Sequence, residues 1–214
     1  FPHMGDGGLA VGAAYATAFQ DGGSPSTGLP TVALGPAFSL EEMTAALRDA
    51  GLPATPTDAI ASRTANLLLD NRIVLWFQGR MEYGPRALGQ RSVLARPDRP
   101  FLRDRLNRVL KRRSLYQPFC PSVLEEEAST AFLDWSGPSN PFMTMSYTVS
   151  TESRARFAGV LAPDHSCRPH IVSETDASPF AEILRTLRRD IGVGAVLNTS
   201  FNIHGEPMVY TPHE

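Results

Sequence analysis

The chain has 214 residues, enough for one sizeable domain with its own hydrophobic core, or for a domain plus a fragment. Twenty lysines and arginines stand against 22 acids, and the formal charge of −2 argues against a general binder of nucleic acid or membrane surfaces. No apolar run reaches bilayer length, no basic segment precedes an apolar core at the N-terminus, and Cys120 and Cys167 lack metal-ligand or redox spacing. The chain therefore reads as cytoplasmic, with two free thiols and no membrane partner.

The opening stretch, FPHMGDGGLAVGAAYATAF, places a glycine-flanked acid, Asp6, before a small-residue helix from about Leu9 to Phe19. With no earlier strand to pack on, this looks like the end of another domain, and His3 beside it reads as incidental. DGGSPSTGLP (21–30) is almost entirely Gly, Ser, Pro and Asp, the composition of a linker or exposed loop. Ser39 and Glu42 form a capping box that predicts a helix from Leu40 to Ala50, stopped by Gly51. Thr55, Pro56 and Asp58 predict the start of a second helix, with Ile60, Leu67 and Leu68 on its apolar face. Ile73 to Phe77 (IVLWF) is short and apolar, as expected of a buried strand.

That strand delivers GRMEYGPRALGQRSVLARP, Gly79 to Pro97. Four arginines (Arg80, Arg86, Arg91, Arg96) share it with three glycines and two prolines. Gly84 and Gly89 free the backbone for close approach, Pro85 stiffens the turn, and guanidinium forks match phosphate oxygens. The stretch is either an anion cradle or a solvated basic loop. Residues 80 to 113 carry eleven of the twenty basic residues and three acids, so the segment is +8 while the remainder is −10. Such segregation implies a local anionic ligand. The single lysine, Lys111, falls inside it.

From Pro100 the pattern predicts a helix with Leu102, Leu106, Val109 and Leu110 inward and Arg103, Arg105 and Arg108 on a solvated face. Lys111 and Arg113 come at its end, beside SLYQPFCPSV. Pro141 to Ser150 alternates as a half-buried strand, with Met143, Met145, Tyr147 and Val149 on one side. Residues 178 to 192 predict an amphipathic helix with Phe180, Ile183, Leu184 and Leu187 inward. GVGAVLNTSFNIHGEP then reads as a buried strand ending in Asn198, Thr199, Ser200 and Asn202. Amides and hydroxyls there either hold a carbamoyl, ribose or base edge or cap a turn.

Four stretches in this order, GRMEYGPRALGQRS, LKRRS with PFCPSV, DHSCRPHIV and LNTSFNIHGEP, resemble the NodU-type O-carbamoyltransferases, including those that decorate antibiotics. The resemblance implies an α/β fold in which residues 35–214 form a YrdC-like domain, a twisted mixed β-sheet flanked by helices. Residues 1–34 are then the tail of an actin-like transfer domain plus linker. The C-terminus stops at Thr211-Pro-His-Glu, inside a motif that normally continues, so the chain reads as a fragment that packs on the rest of that actin-like domain.

In such enzymes the YrdC-like domain makes carbamoyl adenylate from ATP and carbamoyl phosphate. The actin-like domain, holding a divalent metal (Mg or Fe-type), passes the carbamoyl group to the hydroxyl of a small-molecule acceptor. By the same resemblance, Arg86, Lys111 and Arg113 contact phosphate as the catalytic cations, and Arg80 joins them in binding substrate. Arg168 corresponds to the arginine of the family's DGTARPQTV, where DHS replaces DGT and His170 replaces Gln. Asn198, Ser200 and Asn202 hold the nucleotide or carbamoyl end, with Gly205 and Glu206 in support, and Asp6 is a metal ligand. Gln117 stands where the family commonly has arginine, one charge fewer at a proposed contact unless Arg112 compensates. The competing readings are a YrdC-like nucleic-acid-binding module, a threonylcarbamoyl-adenylate-forming enzyme, and an inactive interaction domain. Few aromatics are interleaved with the arginines, which counts against nucleic acid.

Overall fold

A computed structural model describes residues 1–24, 29, 31–137 and 140–214. Half of the expected linker (25–28 and 30) lies outside the described residues. A 3-10 turn (Asp6–Gly8) leads into α1 (Leu9–Gln20), which buries none of its residues. Residues 1–8 instead rest on the arginine segment: Tyr83 Oη donates to Gly7 O, and Phe1 packs edge-on against the Tyr83 ring.

Helix α2 (Leu40–Asp49) starts where the capping box requires, with Ser39 Oγ accepting from Glu42 N at 3.1 Å and Glu42 Oε2 from Ser39 N at 2.7 Å. In α3 (Ile60–Leu69) the buried face is Thr64, Ala65 and Leu68, while Ile60 and Leu67 are exposed. Small residues face inward there because α3 packs closely on a later helix.

The main sheet follows: β1 (Val74–Phe77), β2 (Arg91–Ala95), β3 (Cys120–Leu124), β6 (His170–Val172) and β7 (Ala195–Ser200), in spatial order β1-β2-β7-β3-β6. Pairing is antiparallel except between β3 and β6, so the sheet is mixed, as expected for the fold class. A short β4 (Tyr147–Thr148) pairs with β5 (Ser166–Cys167) beside it. β1 is an edge strand rather than a buried one, with Leu75 half exposed. Of the strand expected over 141–150, only the β4 pair and a bridge at Val149 are extended ladder; Met143 turns at φ 56° and Met145 is exposed.

Alternation along the central strands feeds two cores. On one face Val93, Val123, Ala195 and Leu197 pack against α4 (Pro100–Arg105), the turn after it, and Phe132, Phe157 and Ile171. On the other, Leu94, Leu124 and Val196 meet α3 and α6 (Pro179–Ile191), whose Phe180, Ile183, Leu184 and Leu187 are all buried. Helix α6 is bounded as its sequence dictates: Ser178 Oγ accepts from Ala181 N, and Gly192 ends it in the left-handed region. A further helix, α5 (Glu125–Ala131), follows β3 directly.

The helix from Pro100 changes pitch. Residues Leu106–Leu110 form a π turn in which Lys111 N bonds to Leu106 O. The extra residue in the turn rotates the pattern, so Val109, expected inward, is 64% exposed, and Asn107 is fully buried instead.

Candidate functional site

Two strand ends and four loop segments meet at a cavity of about 130 Å³ lined by Arg86, Arg113, Arg168, Asn198, Ser200 and Cys120, among others. Its position follows from the sheet. β7 ends at Ser200 beside β3, which begins at Cys120, and the Pro85–Ala87 loop leads back into β2 on the other side of β7.

The loop is held from within by a residue that the sequence reading passed over. Buried Glu82 accepts through Oε1 from Leu88 N at 2.7 Å and from Gln90 N and Arg91 N at 3.3 Å, closing the loop around one carboxylate. Arg91, also fully buried, donates through Nη1 to three backbone carbonyls, those of Gln78, Gly79 and Gln90, and stacks on Phe77 at 3.5 Å. Arg91 thus builds the loop and does not line the cavity. Gly89 serves packing rather than a ligand: its φ is +99°, and an added Cβ would lie 2.8 Å from the Phe180 ring. Arg96 is spent on Asp98.

Three guanidiniums remain. Arg86 makes no hydrogen bond or ion pair among the described residues. Among the described residues Arg168 donates only to Cys120 Sγ, at 3.6 Å, and its buried Nε has no partner. Arg113 donates to Asn107 Oδ1 at 2.7 Å and lies over the Phe119 ring at 4.4 Å. None of the three has a carboxylate partner among the described residues. Burial, and then the charge of Arg168, pull the pKa of Arg86 below its ordinary value, with Cys120 opposing; burial does the same to Arg113. Cations without carboxylate partners, gathered in a partly dry recess, favour an anionic ligand on electrostatic grounds.

Lys111 is buried and lies outside the cavity lining. Its Nζ donates among Ser200 O (2.6 Å), Ser200 Oγ (3.2 Å), Asn202 O (3.0 Å) and Asn202 Oδ1 (2.7 Å), tying the π turn to the end of β7. Burial, then Arg113, push its pKa down to about 8. Asn202 donates to Glu206 O and also lies outside the lining, so it shapes the loop that carries Ser200. Arg80 is exposed and donates to Ala33 O and Leu34 O, fastening residues 33–34 to the arginine segment. Gln117 is exposed and outside the lining; its carbonyl accepts from Asn107 Nδ2 at 3.0 Å. Asp6 is exposed, and no group of three or more His, Cys, Asp or Glu converges among the described residues. This chain's donors do not by themselves fit the divalent ion that the resemblance implies.

Residues 65–214 match the family model described as carbamoyltransferase C-terminus. The chain belongs to that carbamoyltransferase family. Among its relatives are the uncharacterized protein MJ1058 of Methanocaldococcus jannaschii, 36% identical across 100% of this chain and 36% of the relative, and the nodulation protein NolO of Bradyrhizobium diazoefficiens, 35% identical across 97% of this chain and 39% of the relative. The nodulation protein NolNO of Sinorhizobium fredii is 41% identical over 71% of this chain and 22% of the relative. The chain thus spans well under half the length of these carbamoyltransferase-family relatives. No described helix is long and apolar enough to cross a membrane.

Four features of the site were missed. Glu82 lies inside GRMEYGPRALGQRS, but nothing local marks it as the clamp of the loop; Asn107 has no motif around it, and Cys120 has no metal-ligand or redox spacing. Buried His170, whose Nδ1 lies 2.9 Å from Ser122 Oγ, differs in sequence from the glutamine of the family pattern and so carries no signal of its place beside the site. The one available signal was parity: Cys120 and Ser122 fall two apart in a strand and so share a face.

Proposed function

We propose that this chain is the carbamoyl-activating part of an O-carbamoyltransferase, and that its arginine cavity binds carbamoyl phosphate next to ATP. The observation that carries this reading is the convergence of Arg86, Arg113 and Arg168, none with a carboxylate partner among the described residues, in a chain of the carbamoyltransferase family. A wider depression of about 530 Å³, lined by Met81, Gly84, Pro85, Ser200, Asn202 and Tyr210 among others, shares Pro85 and Ser200 with the cavity and suits the nucleoside. On this reading carbamoyl phosphate, ATP and one water give carbamoyl adenylate, phosphate and pyrophosphate. Fixed cations stabilise the charge that builds on the departing phosphoryl groups, and little acid–base machinery is needed.

Acceptor transfer then belongs to a companion actin-like unit carrying the divalent metal. Helix α1 buries nothing and exposes Leu9 and Phe19, which supports such a docking partner. The acceptor is a hydroxylated small molecule, with antibiotic or other secondary-metabolite biosynthesis as the setting. A cytoplasmic location fits the two unpaired thiols. The test is to mix the 214-residue chain with ATP and carbamoyl phosphate and measure pyrophosphate. Release that requires both substrates, without carbamoylation of added hydroxyl compounds, is expected. Release without carbamoyl phosphate, or carbamoylation by this chain alone, overturns the division of labour.

A further inference from the structure

We infer that Asn198, held in one orientation by Ala87 and Ser122, is the specificity-determining residue that accepts a hydrogen bond from the ligand's amino group, so that the cavity selects carbamoyl phosphate over acyl phosphates of the same shape. This rests on the function proposed above.

Asn198 lies on β7 and is 2% exposed, yet it lines the cavity. Its Nδ2 donates to Ala87 O at 2.9 Å and to Ser122 Oγ at 2.9 Å. A carbonyl oxygen can only accept, so the group facing Ala87 O must be the NH₂ end, and the amide cannot be flipped. Ser122 Oγ, which accepts from Asn198, also shares a hydrogen bond of 2.9 Å with His170 Nδ1. Burial pushes the His170 imidazole down to about 4, with Asp176 opposing, so the ring is neutral near pH 7. His170 in turn stacks on Phe180, ring centroids 6.1 Å apart and 14° from parallel. From α6 to the cavity, every member of this row is fixed.

The consequence falls on Asn198 Oδ1, which is buried and has no partner among the described residues. An unsatisfied buried acceptor is costly unless a ligand donor completes it. Phosphate at neutral pH offers the site mainly acceptor oxygens, which the three guanidiniums suit and Oδ1 does not. A matching ligand therefore carries an N–H donor close to its phosphate, since both sets of groups line one cavity of about 130 Å³. In carbamoyl phosphate the amino group is three bonds from phosphorus. In ATP the nearest amino group is a ribose and a base away. Acetyl phosphate places a methyl group where the amino group would be and leaves Oδ1 unpaired. A site built around a substrate N–H rejects an analogue that lacks it far more strongly than it rejects a change of size.

The experiment compares the binding of carbamoyl phosphate, acetyl phosphate and inorganic phosphate to the whole chain by calorimetry. The wild type should prefer carbamoyl to acetyl phosphate by about 10-fold or more. Asn198→Ala should bring the two within about 3-fold while leaving inorganic phosphate affinity within the same margin. Ser122→Ala, which removes one of the two acceptors that hold the amide, should lose part of the preference. Equal affinity of the wild type for the two acyl phosphates overturns the inference and leaves the anion cavity standing, and this needs no variant to fold. Full preference persisting in Asn198→Ala also overturns it. Failure of the wild type to bind any of the three overturns the cavity reading, and the inference with it.

Discussion

Arg86 and Lys111 show how little a residue's charge alone says about its task. Arg86 has no hydrogen-bond or ion-pair partner among the described residues, so nothing in the folded state depends on its guanidinium. Arg86→Ala should leave the urea midpoint unchanged or raise it, since burial beside Arg168 disfavours this charge, and should weaken carbamoyl phosphate binding by about 1.5–3 kcal/mol, the worth of a charge-assisted hydrogen bond. Calorimetry decides it, and Gln117→Arg is the matched control. Because Gln117 is exposed and outside the lining, the added charge should change affinity less than about 3-fold, where the family comparison alone predicts a gain.

Lys111 is the reverse case, a cation bound to the protein's own acceptors. Its folded pKa is depressed from 10.5 to about 8. Between those values the unfolded chain holds a proton that the folded chain has released, so the stability this group contributes rises with pH across that window. Below about pH 8 both states are protonated and the dependence vanishes. Urea midpoints measured from pH 7.5 to 10.5 should rise more steeply in the wild type than in Lys111→Met; parallel curves would mean that burial does not depress this ammonium.

At the scale of the element, the arginine loop is a ring of amides closed on Glu82. Glu82→Gln keeps one acceptor but removes the charge beside the buried Arg91, whose pKa burial lowers and Glu82 raises. It should cost about 1–3 kcal/mol of stability, read from denaturant unfolding, and should also loosen Arg86, because the clamped amides of residues 88, 90 and 91 fix the loop that carries it. An unchanged midpoint would show that the loop closes without the carboxylate. The π turn at Leu106–Leu110 acts in the same way on the other wall. By burying Asn107 it supplies the acceptor for Arg113 and the donor for the carbonyls of Leu115 and Gln117, which sets the path of the segment leading into β3.

For the whole molecule the relevant fact is that one sheet separates two cores. Ile171 belongs to the side packed on Phe132 and Phe157, and Ile183 to the side formed with α3. Ile→Val at either position should cost about 0.5–1.5 kcal/mol, and the double variant should equal the sum within about 0.5 kcal/mol, since the two residues share no buried cluster. A larger deviation would show that the sheet transmits strain between its faces.

Local patterning determined the elements. The Ser39–Glu42 box, the 3.6-residue periodicity of α6, and the apolar runs of β1 and β7 each depend on neighbours within a few residues, and each lies where the sequence puts it. The excess of arginine over acid between residues 80 and 113 raises the expectation of an anionic ligand, because charge is additive and can be counted along the chain.

Only the tertiary structure decided which arginines face it. Arg80, Arg91 and Arg96 sit in the same stretch as Arg86, but backbone carbonyls and Asp98 occupy them. Arg168, far off in sequence, joins the cavity because the sheet order brings β6 beside β3. The pitch change that exposes Val109 and the orphaned oxygen of Asn198 are equally invisible in sequence. A donor is free or spent according to which acceptors the fold brings within about 3 Å of it, and most of those acceptors are backbone carbonyls that every residue carries alike.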